Sequence, residues 1–249
     1  MIRWLDRAKA LIQDVPVAQR SIRAMRLAIG AVHEEEIKLL PFLVDPTLLA
    51  IDVGASLGSY THALLNLGCR VMSFEAKSKA AHNLQRMYGR KARIIWGAVS
   101  SKSGQITLRV PRMGGLATVE PLNDLSGLPA ESIDVPCFTL DDAVSEPVGF
   151  IKIDVEGHEL AVIHGAMTIL KRDRPVLLVE AEERHRRNAV QSIRDELTPL
   201  GYTGFMLDHG RLIGISQFST ERDQAIPPAI TNGGHRPGRY INNFLFIIN

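Results

Sequence analysis

The chain has 249 residues, 45% of them hydrophobic, and a formal net charge of +2. That length allows one sizeable core with a small appendage rather than two full domains, and so small a net charge excludes the strongly basic balance of a protein built to hold nucleic acid. Cys69 and Cys137 lie far apart without C-x-x-C spacing, so neither a disulfide framework nor a cysteine metal site is expected, which suits a reducing, cytoplasmic setting.

No apolar run approaches the ~18 residues of a membrane span, and charges in the first nine residues break up any signal-peptide core. Residues 1–34 read as a helical appendage to a main domain over 35–249. The first 30 residues carry six Lys or Arg against two Asp, with Trp4, Leu5, Leu11 and Ile12 interleaved. Such a basic amphipathic helix suits weak contact with a membrane surface or an acidic partner; the more ordinary reading is packing on the main domain or on a second subunit of a homodimer.

From residue 48 onward, apolar runs at 48–53, 70–74, 93–96, 150–155 and 175–180 alternate with helix-period segments at 58–68, 77–88 and 157–171, and with one ending near Leu200. This alternation is the signature of parallel strands joined by crossover helices, hence an α/β fold. Gly68 and Gly89 are natural helix stops. Gly104 sits in a turn between 98–100 and 106–110, so a hairpin is expected to extend the sheet there. Residues 111–136 lose all period and collect Gly114, Gly115, Pro121, Gly127 and Pro129. They read as an irregular insertion, either disordered or a substrate-recognition wall. Residues 138–144 feed a helix, and Leu160, Ile163, Met167 and Leu170 line one apolar stripe of the next. A sixth strand is expected at 202–207, a loop at 227–238, and a last strand at 243–248 that returns to the sheet.

Two turns carry the chemistry. In the first, Asp52, Gly54 and Gly58 follow the first strand, where glycines let a ligand approach the backbone. The spacing is not G-x-G-x-x-G, and Asp52 would repel a pyrophosphate while attracting a cation. Glu75, 21 positions beyond Gly54, can accept hydrogen bonds from a ribose at the end of strand two; an exposed strand-end acid is the plainer alternative. In the second turn, Asp154, Glu156 and His158 come to the crevice mouth at the end of strand four, with Gly157 permitting the bend. Glu159 suits the helix N-terminus. His158 has the titration range of a general base, although a lone histidine in a turn is more often structural, and Asp154 or Glu156 can orient a nucleophile or ligate a divalent cation. His158 and His164 point to different helix faces, and no metal site is expected. Glu180 and His185 can complete the rim, while residues 182–187 read equally as a solvated charge run.

The segments 51–61, Phe74-Glu75, 97–99, 138–142, 151–159 with Gly165-Ala166, and 243–246 occur in the order found in the FkbM family of methyltransferases, which the chain resembles from about Glu35 onward. The resemblance implies a Rossmann-like class I fold, a mostly parallel seven-stranded sheet with an antiparallel last strand and helices on both faces. It also implies S-adenosylmethionine as cofactor and methyl transfer to a hydroxyl of a sugar, glycan or secondary metabolite. Cofactor contacts then fall on Asp52, Gly54, Ala55, Ser56, Gly58, Glu75, Ala76, Ala98 and Asp154, with Asp154, Glu156 and His158 catalytic. Ser56 stands where the family often has Asn, and Ala76 where Pro follows the acid. The chain lacks the Pro-Pro-Tyr segment and basic stripe expected of a methylase acting on nucleic acid. The rival readings are a non-catalytic scaffold and, third, an NAD(P)-dependent oxidoreductase.

Overall fold

A computed structural model describes residues 35–111, 117–120, 130–225 and 240–248. The predicted N-terminal helix, most of the insertion between 112 and 129, and the loop at 227–238 lie outside the described residues.

The strands are β1 (Leu49–Val53), β2 (Arg70–Glu75), β3 (Ala92–Trp96), β4 (Ala98–Val99), β5 (Gly104–Pro111), β6 (Ala130–Phe138), β7 (Val148–Ile153), β8 (Val176–Glu180), β9 (Tyr202–Asp208), β10 (Arg211–Gly214) and β11 (Asn243–Ile248). The helices are α1 (Leu40–Leu43), α2 (Ser59–Asn66), α3 (Ser78–Tyr88), α4 (Leu140–Ala143), α5 (Glu159–His164), α6 (Met167–Asp173), α7 (Ala189–Leu197) and α8 (Thr220–Asp223). No helix among the described residues is long and apolar enough to cross a membrane.

The principal sheet runs β10-β9-β11-β8-β7-β1-β2-β3. Strands β3, β2, β1, β7 and β8 are parallel neighbours, and β11 enters antiparallel between β8 and β9. Burial on both faces explains why β1 and β7 read as continuous apolar runs rather than alternating ones. On one face Ile51, Phe74, Ile151 and Val179 pack with Val162 and Ile169. The other carries Ala50, Val71, Phe150 and Leu178 with Leu64 and Leu84.

Three expectations are corrected. The sheet has eight strands rather than seven, because β10 folds back on β9 over His209 and Gly210, both at positive φ (+46° and +74°). A two-residue turn with both residues in that region matches the twist of the strands it joins, but His-Gly is a weak sequence signal for it. Second, the hairpin at Gly104 does not extend the main sheet; β5 joins β6 and β4 in a separate three-stranded sheet, order β4-β6-β5. Residues 130–136, expected to be irregular, are most of β6, whose largely exposed first half carries Glu131, Ser132 and Asp134 and so shows little apolar pattern. Third, the single helix expected over 157–171 is two, α5 and α6. A Cβ at Gly165 would lie 2.1 Å from the Ser100 carbonyl oxygen. The Gly165 carbonyl accepts from Asp141 N (2.9 Å), and the Asp141 carboxylate caps the amides of Thr168 (2.9 Å) and Ile169 (3.0 Å), so the chain restarts its helix there.

Candidate functional site

In an open parallel sheet the ligand crevice lies outside the carboxyl ends of the strands, and the cleft of this protein opens there, beyond β1, β2 and β7. Its floor is the turn after β1. Gly54 has φ +82°, and a Cβ on it would stand 1.8 Å from the Asp154 carbonyl oxygen; only glycine lets β1 and β7 end this close together. The amides of Gly54 and Ala55 both donate to the Phe74 carbonyl at 3.0 Å. Ser56 at φ +47° and Gly58 at φ +80° complete the bend into α2.

Glu75 ties that turn to the end of β2. Its Oε2 accepts from Ser56 N at 2.7 Å and its Oε1 from Lys77 N at 2.8 Å. A carboxylate has about four lone-pair sites, so it keeps acceptor capacity toward the cleft it lines. Asp52 is placed differently. It is 2% exposed and receives Thr61 N (2.9 Å) and Thr61 Oγ1 (2.6 Å), which fastens the first turns of α2. It is not among the residues lining the cleft.

Ala76 and Ala98 line the cleft beside Glu75, together with Gly97 and Val99. Sequence reasoning named no residue of the rest of this wall, although it offered 111–136 as a recognition wall or a disordered stretch. Leu108 of β5 and Ala117 and Val119 of the strap 117–120 also face the cleft, and pack in the small sheet's apolar cluster. Their one sequence signal was the apolar pair Ala117 and Val119 inside a Gly- and Pro-rich stretch. The strap is pinned from both sides: Thr118 bridges to Arg109, and its hydroxyl donates to the Glu156 carbonyl at 2.8 Å.

Beyond β7, Asp154 and Glu156 line the cleft, and Glu156 holds φ +54°, a conformation that costs a non-glycine residue about 1–3 kcal/mol and is concentrated at functional sites. His158, expected to face the acceptor, does not line the cleft. Its Nε2 is 2.8 Å from Ser100 Oγ and its Nδ1 is 3.3 Å from Glu120 Oε2, so it brackets the strap to the turn. Burial pushes its pKa below the ordinary value, with Glu120 opposing that. His164 is near Glu196, 3.2 Å away and half-exposed. The imidazole that does reach a cleft residue belongs to His185, whose Nε2 is 2.8 Å from Glu156 Oε2.

Three further ionisable groups lie near the ends of β7 and β8, behind the cleft lining. Lys152, 1% exposed, donates to Asn243 Oδ1 at 2.9 Å, lies 3.9 Å from Glu180 Oε2 and stands 5.1 Å from the Tyr60 ring centre. Burial and the charge of Asp154 push the Glu180 carboxyl well above the usual range, against the pull of Lys152. Glu159, which accepts from Gly157 N at 2.8 Å, is pushed up to about 7, chiefly by burial. A carboxyl whose pKa is raised on folding stabilises the fold fully below its unfolded value, and that contribution fades as pH rises through the folded one. Glu159→Gln is therefore expected to remove a loss of stability, on the order of 3 kcal/mol, that the wild type suffers between about pH 4.5 and 7. Urea denaturation of both proteins across that range checks it; parallel pH curves would contradict it.

Residues 52–203, more than half of the chain, match the methyltransferase FkbM domain. No curated protein matches the sequence. Among solved structures, the methyltransferase FkbM of Methylobacillus flagellatus KT superposes with a TM-score of 0.52 at 18% identity, over 80% of this chain and 43% of that one. The present chain thus spans less than half of that protein's length. A putative methyltransferase from Streptococcus mutans, in complex with SAH, gives a TM-score of 0.47 at 14% identity, over 86% of this chain and 97% of that one. With its sheet order, its glycine turn and its acid-rich turn in the places described, the chain belongs to the FkbM family of S-adenosylmethionine-dependent methyltransferases and has their class I fold.

Proposed function

We propose that the protein methylates a hydroxyl of a small molecule or glycan, using S-adenosylmethionine. The observation that carries this reading is the character of the cleft. It presents three carboxylates (Glu75, Asp154 and Glu156) and one cation (Lys77), against an apolar wall of Val99, Leu108, Ala117 and Val119. Carboxylates suit ribose hydroxyls, an ammonium and a sulfonium, and the apolar wall suits a purine face. A dinucleotide would bring its pyrophosphate against those same acids, which disfavours the oxidoreductase reading.

When bound, S-adenosylmethionine supplies an electrophilic methyl group. Glu75 is suited to the ribose, Gly54 and Ser56 to close backbone approach, and Ala76 and Ala98 to the purine edge, while Ala55, buried in the core behind the turn, does not line the cleft. The turn after β1 presents backbone rather than a carboxylate to the cleft, so the acid suited to the methionine end is Asp154, just beyond β7. Asp52 serves by holding α2 and the turn in place. The chain's remaining tasks are to align the acceptor oxygen, to take its proton and to exclude water.

Assay with methyl-tritiated S-adenosylmethionine against a panel of sugars and methyl glycosides tests this. Label is expected in a hydroxyl acceptor, and Asp154→Ala is expected to lower its transfer by about 100-fold or more. Transfer by Asp154→Ala at the wild-type rate, or label appearing only in RNA, would overturn the reading.

A further inference from the structure

We propose that His185, rather than His158, is the positioning histidine of the acceptor side: it holds and charge-balances Glu156, whose carboxylate takes the acceptor's proton. This rests on the methyltransferase reading above. The proton leaves the acceptor oxygen for Glu156, the freed electron pair forms the new oxygen–carbon bond, and the carbon–sulfur pair stays on sulfur. The pair then sheds one proton to solvent before the next turnover.

The geometry separates the two histidines. Glu156 lines the cleft and neither histidine does, but both ring nitrogens of His158 are directed to the bracket formed by Ser100 and Glu120. His185 is 5% exposed, and its Nε2 meets Glu156 Oε2 at 2.8 Å, an ion-pair contact rather than an in-line hydrogen bond. The backbones are interlocked as well. Gly157 has φ +104°, and a Cβ there would stand 3.2 Å from the Cβ and the carbonyl oxygen of His185. The strained turn that aims Glu156 is therefore seated on the residue that meets its carboxylate.

The charges around His185 support the same assignment. Its Nε2 also lies 3.8 Å from Glu182 Oε1. Glu182, however, is already matched: it accepts from Arg184 Nε (2.6 Å) and Nη2 (2.9 Å), and from the Tyr240 hydroxyl. Burial would raise its pKa, but the Arg184 contacts and the Tyr240 hydroxyl bring it down to about 2, so it is a carboxylate with its own counter-ion. Glu180 and Asp154 are the next acids along the rim, and Glu180 faces Lys152. Of the acids around it, Glu156 is the one that His185 approaches most closely, at 2.8 Å against 3.8 Å for Glu182.

Two readouts test this. The first is nitrogen-15 NMR of the histidine-labelled full chain, with S-adenosylhomocysteine as probe. We expect saturation with it to move the His185 ring resonances, the movement to vanish in Glu156→Gln, and the His158 resonances to be the same in both proteins. The second is transfer to whichever glycoside of the panel is methylated. His185→Ala should lower it about 100-fold, and His185→Gln, which keeps a neutral donor near the Nε2 position, should recover at least part of that loss. Both should hold S-adenosylhomocysteine within about threefold of wild type. Wild-type binding of S-adenosylhomocysteine together with His185 resonances indifferent to Glu156→Gln would overturn the assignment, as would a loss in His158→Gln that equals the loss in His185→Ala. Absence of S-adenosylhomocysteine binding by the wild type would be a different failure, that of the methyltransferase reading beneath it.

Discussion

Gly54→Ala is expected to abolish cofactor binding and to lower the melting temperature by roughly 6–12 °C, the equivalent of about 3 kcal/mol in a chain of this size. Two effects add. At φ +82° an alanine pays about 1–2 kcal/mol for left-handed backbone, and its Cβ would sit 1.8 Å from the Asp154 carbonyl oxygen. Neither partner can yield cheaply, because both are main chain at the ends of the central strands β1 and β7. Relief requires the ends of those strands to part, which displaces both walls of the cleft. Gly68→Ala is the control. It has nearly the same φ, +83°, with nothing within 4 Å of its added Cβ, so it should lose only the conformational part, about 1 kcal/mol, and bind the cofactor normally. Thermal melts and S-adenosylhomocysteine titrations of the two variants check this; equal losses in both would show that the close approach of β1 and β7 is not what position 54 serves.

Lys152→Met is expected to cost about 3–5 kcal/mol although it preserves most of the side-chain volume. The ammonium is 1% exposed and sits between Asn243 and Glu180. Removing one member of a buried ion pair leaves the other uncompensated, which is the expensive way to break it. The pH dependence identifies the cause. Glu180 is already pushed well above the usual carboxylate range with Lys152 present. Without the lysine its folded pKa rises further above the unfolded value, so the stability it contributes is present in acid and lost as pH rises. The deficit of Lys152→Met relative to wild type should therefore be smaller at pH 5 than at pH 8. Adding Glu180→Gln should recover part of it at pH 8. Urea denaturation at the two pH values measures both; a deficit independent of pH would assign the loss to packing.

The parallel strands were legible because burial on both faces demands apolar runs, and β1, β2, β7, β8 and β11 all carry them. The glycine turn was legible for the same kind of reason, since position 54 tolerates no side chain. What escaped the sequence was decided by contacts made across it. The turn that pairs β10 with β9 rests on His209, an unusual residue at positive φ. Strand β6 exposes much of one half and so lacks alternation. Lys152 reads as a surface residue until Asn243, 91 positions away, is seen to receive it. His158 and His185 show the limit most plainly. Both are histidines beside acids, and only the contacts made on folding distinguish the one that meets Glu156 from the one held by Ser100 and Glu120.

The most direct test of the account is calorimetric titration of the purified chain with S-adenosylhomocysteine, with NAD as the parallel titrant. Saturable one-site binding of S-adenosylhomocysteine, weakened by Glu75→Gln and absent for NAD, is the predicted result. Saturable binding of NAD without binding of S-adenosylhomocysteine would contradict it.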